Sequence, residues 1–419
     1  MRRKFIRPRK KSIRPRASYP STFNKYGIAK VNSLSQYINL MEQLDAYSNE
    51  EGVGEQYIRP LEYIFRGEWG KHRRRLTGAF RNTPSTPSLA LFPDFNEAID
   101  EFYREVGYRL TEVEKNNFIA FAQHYGLTTN LLDVTPSPLT ALFMACHRDW
   151  YSLRGEYQQE KDTLAYVYIF DDYIDITDIM SKYPDKSILE LLINMDEYTI
   201  NKFMQLLDKR DRQFLYAGGS KVMELVKAIC VDIFRVTVSA YSPEFEAINT
   251  KLMAAINLEH KSLNSLYGLL NYHNGLYDLA DNLLASKQME KFPVQKSDIA
   301  PKELMRCYMV FLVFYLRMIR GNAKTYDAGK FMPHMIYKPK VTFERARLQQ
   351  GFFIVQPFLK PLGDENDSRI RFVQEIRHSK AIEVGNPEKI LRQLNSIGIN
   401  LGNMYGDFDS IAKYIKKKC

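Results

Sequence analysis

Short strand patterns lie toward both ends of this chain and a long helical stretch separates them, which confines the fold to the α+β class. The clearest strand is Thr163-Leu-Ala-Tyr-Val-Tyr-Ile-Phe170, with three aromatic and two β-branched aliphatic residues ahead of turn-forming acids. Tyr63-Ile-Phe-Arg-Gly67 reads as a strand that runs into a turn at Gly67, and further strands are predicted within residues 331–343, 352–357 and 370–376. Helices are predicted from Ser33 to Leu44, Asp94 to Leu110, Thr111 to Gly126, from Pro136 and Pro138 through Trp150, Pro387 to Leu394 and Phe408 to Lys417. Residues 71–93 read as a loop, first basic and then rich in Pro and Ser, with room for one turn of helix. Residues 174–325 hold long helical patterns rich in Leu and Met. The expected organisation is a tail over 1–20, a first part of a mixed-sheet core over 21–173, a large all-helical insertion over 174–325 and a second core part over 326–419.

Charge is concentrated at one end. The net charge is +10, yet residues 1–16 alone hold nine Arg or Lys and no acid, so the remainder is nearly neutral. This segment has too few apolar residues to order itself and reads either as a tail that touches nucleic acid or another anionic surface, or as a solvated tail without a partner. The basic start is not followed by an apolar stretch of signal-peptide length. The most apolar run, Cys307 to Leu316, lies between Arg306 and Arg317 and falls well short of the roughly 20 residues a spanning helix needs. The four cysteines form no CxxC pair and the seven histidines no metal spacing, so a reducing, cytoplasmic setting without a metal is expected.

Three segments carry the functional signal. The first is Phe65-Arg66-Gly67-Glu68. The second runs Gln123-His124-Tyr125-Gly126, then Leu131-Leu132-Asp133-Val134-Thr135, then Ser137-Pro138 into an apolar helix. The third is Arg345-Ala-Arg347-Leu-Gln349-Gln350-Gly351 ahead of an apolar strand. Together with Tyr405-Gly-Asp407-Phe408-Asp409 near the C-terminus, they resemble the FRG-domain family, named for the Phe-Arg-Gly triplet. The sequence departs from the family at Asn130, where Arg is common, and at Val134, where Trp is common. The helical stretch between the second and third motifs is also longer than usual. The resemblance implies bacterial defence or toxin modules and imports no settled chemistry.

The residues themselves offer paired readings. The Arg66 guanidinium suits bidentate contact with phosphate or carboxylate, or a structural ion pair with Asp133 or another acid, while Gly67 lets a ligand approach the backbone. Gln123, His124 and Tyr125 close one helix; His124 suits a ribose hydroxyl or acid–base work, or is simply favoured by the helix dipole. Asp133, Thr135 and Ser137 stand ahead of a helix as ligand contacts or as caps. Gln349 and Gln350 suit ribose hydroxyls or a base edge, or are exposed amides at a strand start.

The order of parts also resembles ADP-ribosyltransferases. That analogy implies NAD, with Arg66 on the pyrophosphate, His124 or Thr135 at the ribose, and Gln350, or Glu344 in its place, beside the glycosidic bond. The rival is a non-enzymatic module that senses a nucleotide-like ligand. A nuclease ranks behind both because no carboxylate cluster has metal spacing.

Overall fold

The computed structural model describes residues 23–50, 62–70, 75–81, 95–147, 165–184, 186–215, 331–340, 344–360 and 372–418, together with residues 229, 308, 309, 312, 313, 315 and 316. The basic segment 1–16, the tail expected over 1–20, the cap expected of Asp94, most of the loop expected over 71–93 and most of the stretch expected to be an insertion lie outside the described residues.

Among the described residues, two four-stranded sheets form the centre. The first has the order β1–β10–β4–β2, from Ile28–Val31 (β1), Ile64–Trp69 (β2), Ala165–Phe170 (β4) and Lys380–Val384 (β10). The second has the order β3–β7–β6–β5, from Leu131–Val134 (β3), Tyr173–Asp175 (β5), His334–Tyr337 (β6) and Phe352–Val355 (β7). A small pair, Phe358–Leu359 (β8) with Phe372–Val373 (β9), stands apart. Each large sheet is mixed: β1 pairs β10 in parallel and β5 pairs β6 in parallel, while the other ladders are antiparallel. The class is α+β.

Strand β4 is buried along its whole length because a strand pairs it on each side and both its faces are covered, so its apolar run has no polar alternation. One face, through Val167 and Ile169, packs on helices Leu34–Glu50 (α1), Pro138–Cys146 (α5) and a C-terminal helix at Pro387–Ser396. The other face, through Tyr166, Tyr168 and Phe170, meets Leu132, Val134, Ile336 and Ile354 of the second sheet. The far face of the second sheet, through Leu131, Met335 and Val355, packs on helices that include Thr177–Lys182 (α6), Ile188–Ile193 (α7) and Glu197–Leu215 (α8). The result is a stack of helices, sheet, sheet and helices. Tyr308, Leu312 and Leu316 are buried in that outer layer. The chain leaves the second sheet in β5 and re-enters it in the neighbouring β6.

Several local expectations change in three dimensions. The helix predicted from Asp94 is Phe95–Val106 (α2), and that from Thr111 is two pieces, Glu112–Lys115 (α3) and Phe118–His124 (α4). Asn117 interrupts them, and its side-chain oxygen accepts from Tyr337 Oη at 2.6 Å and from the Lys340 N–H at 3.2 Å. Gly67 lies inside β2 rather than at a turn. The third motif is a short helix, Glu344–Gln349 (α9), ahead of β7 rather than a strand start. Two more helices, Leu401–Tyr405 (α11) and Phe408–Lys418 (α12), follow Pro387–Ser396 (α10). Among the described residues no helix is long and apolar enough to cross a membrane.

Candidate functional site

Strands β2 and β3 are the outer edges of their sheets on the same side of the stack. They are joined at one point, where Phe65 and Thr135 exchange both backbone hydrogen bonds, at 2.8 and 2.9 Å. Beyond that rung the strands part, and a cleft of about 360 Å³ opens between them, closed by α4, α5, α9 and the end of α11. A volume of this size is ordinary for a small-molecule site.

Helix α5 shapes one wall. Ser137 is its N-cap, accepting from the Thr140 N–H at 3.3 Å, and Pro138 opens its first turn. Its backbone lies directly against β2: a Cβ on Gly67 would stand 1.9 Å from Ala141 O and 2.5 Å from Ala145 N. Gly67 therefore serves helix–strand contact, a different reason for glycine from the ligand approach expected of it, although the residue does line the cleft.

Arg66 lines the cleft and its guanidinium is held at two points. Nε lies 2.6 Å from Glu68 Oε1, and Nη1 donates to the backbone oxygen of Asp133 at 2.7 Å. The structural ion pair expected of Arg66 with Asp133 or another acid is thus made with Glu68. Glu68 is anchored in turn, with Oε2 3.5 Å from Arg75 Nε. Arg75 stacks 3.3 Å from the centre of the Tyr168 ring and reaches His378 Nδ1 at 2.7 Å. Burial first, and the Arg75 charge second, push the His378 imidazole down to about 4.

Gln123 and Asp133 face each other in the cleft, with Gln123 Nε2 donating to Asp133 Oδ1 at 3.2 Å and Gln123 Oε1 accepting from Thr129 Oγ1. Thr135 also lines it, its hydroxyl donating to Gln349 O at 2.8 Å, and the Gln349 amide donates to Met404 O at 3.0 Å. His124 lines it as well, and partial burial, followed by the nearby charge of Arg345, holds its imidazole below the usual value.

Four expected residues do not line the cleft. Tyr125 is 61% exposed and packs on Phe121 at 4.7 Å between ring centres. Ser137 spends its hydroxyl on capping. Gln350 is exposed in a left-handed turn with φ 50°, which carries it out of the helix end. Glu344 is exposed and pairs with Arg347 at 2.5 Å. Of the three residues expected to be catalytic, only His124 reaches the cleft.

Other residues complete it. Arg345 lies over the Tyr405 ring at 4.7 Å from its centre, and His147 stacks on Phe143 at 5.1 Å. Met144, Phe352 and Phe353 give it apolar wall. Arg345 and Tyr405 belong to the very strings that carry the sequence resemblance, and that was the available signal; His147 had none beyond its place one residue past α5. Among the described residues no three His, Cys, Asp or Glu gather as a metal-ion site.

Residues 61–152 match the FRG domain family, a span that runs from just before β2 through α5. The match covers the Phe-Arg-Gly strand and the Asp133–Ser137 segment, one half of the cleft, so the chain carries an FRG domain over these residues. Comparisons with curated proteins and with solved structures find no match.

Proposed function

We propose that this FRG-domain protein uses the cleft to bind a nucleotide-like ligand. The observation that carries the reading is Arg345. Its guanidinium stacks on Tyr405 at the cleft wall beside His124, and among the described residues no carboxylate pairs with it. An uncompensated guanidinium next to an imidazole is chemistry for a phosphate. Arg66 is the weaker candidate for that role, since Glu68 already neutralises it. Gln123 and Asp133 offer amide and carboxylate groups for ribose hydroxyls.

A second reading is transfer of ADP-ribose from NAD. Asp133 favours it, being the sole carboxylate among the described residues on the cleft lining, where it would stand against positive charge developing on a sugar. Gln350 and Glu344 lie off the lining, so that role passes to Asp133, and His124 is the group placed to take a proton from an acceptor.

Titration calorimetry of the full chain with AMP, ADP-ribose and NAD tests the binding reading. Arg345→Ala is expected to weaken binding by about tenfold or more, the loss of one charge-assisted contact. No heat with any of the three, or equal affinity in Arg345→Ala, would sink it. Chromatography of NAD after incubation separates the two readings: consumption that Asp133→Asn abolishes marks an enzyme, and intact NAD marks a binder.

A further inference from the structure

We infer that the parted edge between β2 and β3 is itself a binding element, a docking edge for a planar group of the amide type. This names the part of the ligand that enters the cleft first proposed above, and it rests on different atoms from the phosphate contact.

Strand register carries the argument. In an antiparallel pair, residues that exchange both hydrogen bonds alternate with residues that exchange none. Phe65 and Thr135 exchange both, so the next such rung along the two strands is Gly67 with Asp133. That rung is not formed. The ladder between β2 and β4 uses Ile64, Arg66 and Glu68, because Phe65 turns its N–H and C=O the other way. By the same alternation Gly67 turns its N–H and C=O outward, and no described residue bonds to either. On β3, the Leu131 N–H donates to Thr129 Oγ1 at 3.1 Å and the Asp133 C=O accepts from Arg66 Nη1 at 2.7 Å, so the odd-numbered residues face the open edge there too. Gly67 and Asp133 both line the cleft.

The Phe-Arg-Gly triplet now has one role per residue. Phe65 makes the single rung that sets the register. Arg66, fixed on Glu68, occupies the Asp133 carbonyl and holds the next rung apart; it is a positioning residue. Gly67 lets α5 clamp β2 and presents one free donor and one free acceptor side by side. Edge backbone of this kind is a template for a complementary partner. The matching group has an acceptor and a donor in one plane: a primary carboxamide or the amino–imine edge of an adenine. A carboxylate offers two acceptors and would oppose the Gly67 carbonyl. An extended peptide would also match the edge, but the cleft volume of about 360 Å³ suits a base-sized group between the Met144 and Phe353 walls.

The test reads the Gly67 and Asp133 amides by NMR in isotope-labelled full-length protein. Adenine and benzamide are titrated, each against its counterpart dimethylated on the amino or amide nitrogen. The inference expects one parent compound to move both amides saturably and to slow Gly67 hydrogen exchange, with its dimethylated form binding about tenfold or more weakly. Whichever parent acts identifies a base or a carboxamide as the source. Silent Gly67 and Asp133 amides with both parents, or equal binding of the dimethylated forms, overturns it. Nucleotide binding that depends on Arg345 but leaves Gly67 silent overturns this inference alone. Fragment binding at Gly67 with no effect of Arg345→Ala on nucleotides overturns the phosphate assignment alone. As a second check, Arg66→Met is expected to let the Gly67–Asp133 rung close, protecting the Gly67 amide without ligand and abolishing the fragment effect; a Gly67 amide that stays unprotected in Arg66→Met overturns the positioning role.

Discussion

Replacing Gly67 with alanine puts a methyl group where the backbone of α5 already lies. Its nearest neighbours would be Ala141 O at 1.9 Å and Ala145 N at 2.5 Å, both main-chain atoms that no rotamer change can move. Helix α5 must retreat by about an ångström, yet Ala141, Leu142, Phe143 and Ala145 are all fully buried beneath it. A helix of nine residues is about 13 Å long and 10 Å wide. Its retreat therefore vacates on the order of 100 Å³, or roughly 2–3 kcal/mol of cavity cost. Residual overpacking strain adds roughly 1–3 kcal/mol, for a total of about 3–6 kcal/mol. Thermal unfolding followed by circular dichroism is the assay, and a Tm loss of roughly 10 °C or more is expected. Gly70→Ala is the internal control. It lies three residues on, has nothing within 4 Å and carries φ +75°, so it bears only a left-handed penalty of about 1–2 kcal/mol. If Gly67→Ala melted no lower than Gly70→Ala, the clamp of α5 on β2, and the role given to the glycine of the triplet, would be refuted.

Three further outcomes follow from the same geometry. Gln356→Leu removes the acceptor of both the Thr77 N–H and hydroxyl at 2.8 Å and the donor to Gln374 O at 2.7 Å, leaving buried polar groups unpaired; denaturant titration is expected to show a loss of about 3 kcal/mol. Thr111→Ala breaks a capping box, in which Glu114 Oε2 accepts from the Thr111 N–H at 2.7 Å, and is expected to cost about 1 kcal/mol in the same assay. His378 stays neutral in the folded protein down to about pH 4, while the unfolded chain takes up a proton near the ordinary value of about 6.5. Stability should therefore fall as pH drops from about 6.5 toward 4. The solvent-exposed edge of the ring softens the effect, and His378→Gln should flatten it in Tm measured against pH.

What the sequence revealed depended on how local the cause was. Strand β4 was legible because burial on both faces forces an unbroken apolar run, and the Thr111 and Ser137 caps were legible because capping is settled within three residues. The break at Asn117 was not, since the apolar period runs through it and its cause is a hydroxyl on distant Tyr337. Gly67 read as a turn because glycine in isolation suggests one, whereas the reason for it is a helix some seventy positions on. Gln356 and Gln374 fall within predicted strands, and nothing local marks them as fully buried bridges between strand ends. Among the described residues of the alternation at 370–376, Phe372 and Val373 pair as β9, and the Gln374 amide turns inward to Met332 O. For the site, the motif strings meet in space, where Arg66, Gln123, His124, Asp133, Thr135 and Gln349 share one cleft. Side-chain direction at the α9 turn, which sends Gln350 outward and leaves Arg345 at the cleft, was beyond sequence reasoning.

A crystal structure of the protein soaked with AMP bears most directly on the cleft between the two sheet edges. The phosphate should lie against Arg345 and His124, with the adenine edge on the Gly67 N–H and C=O. Nucleotide bound elsewhere on the molecule, or an empty cleft at saturating nucleotide, would contradict the account.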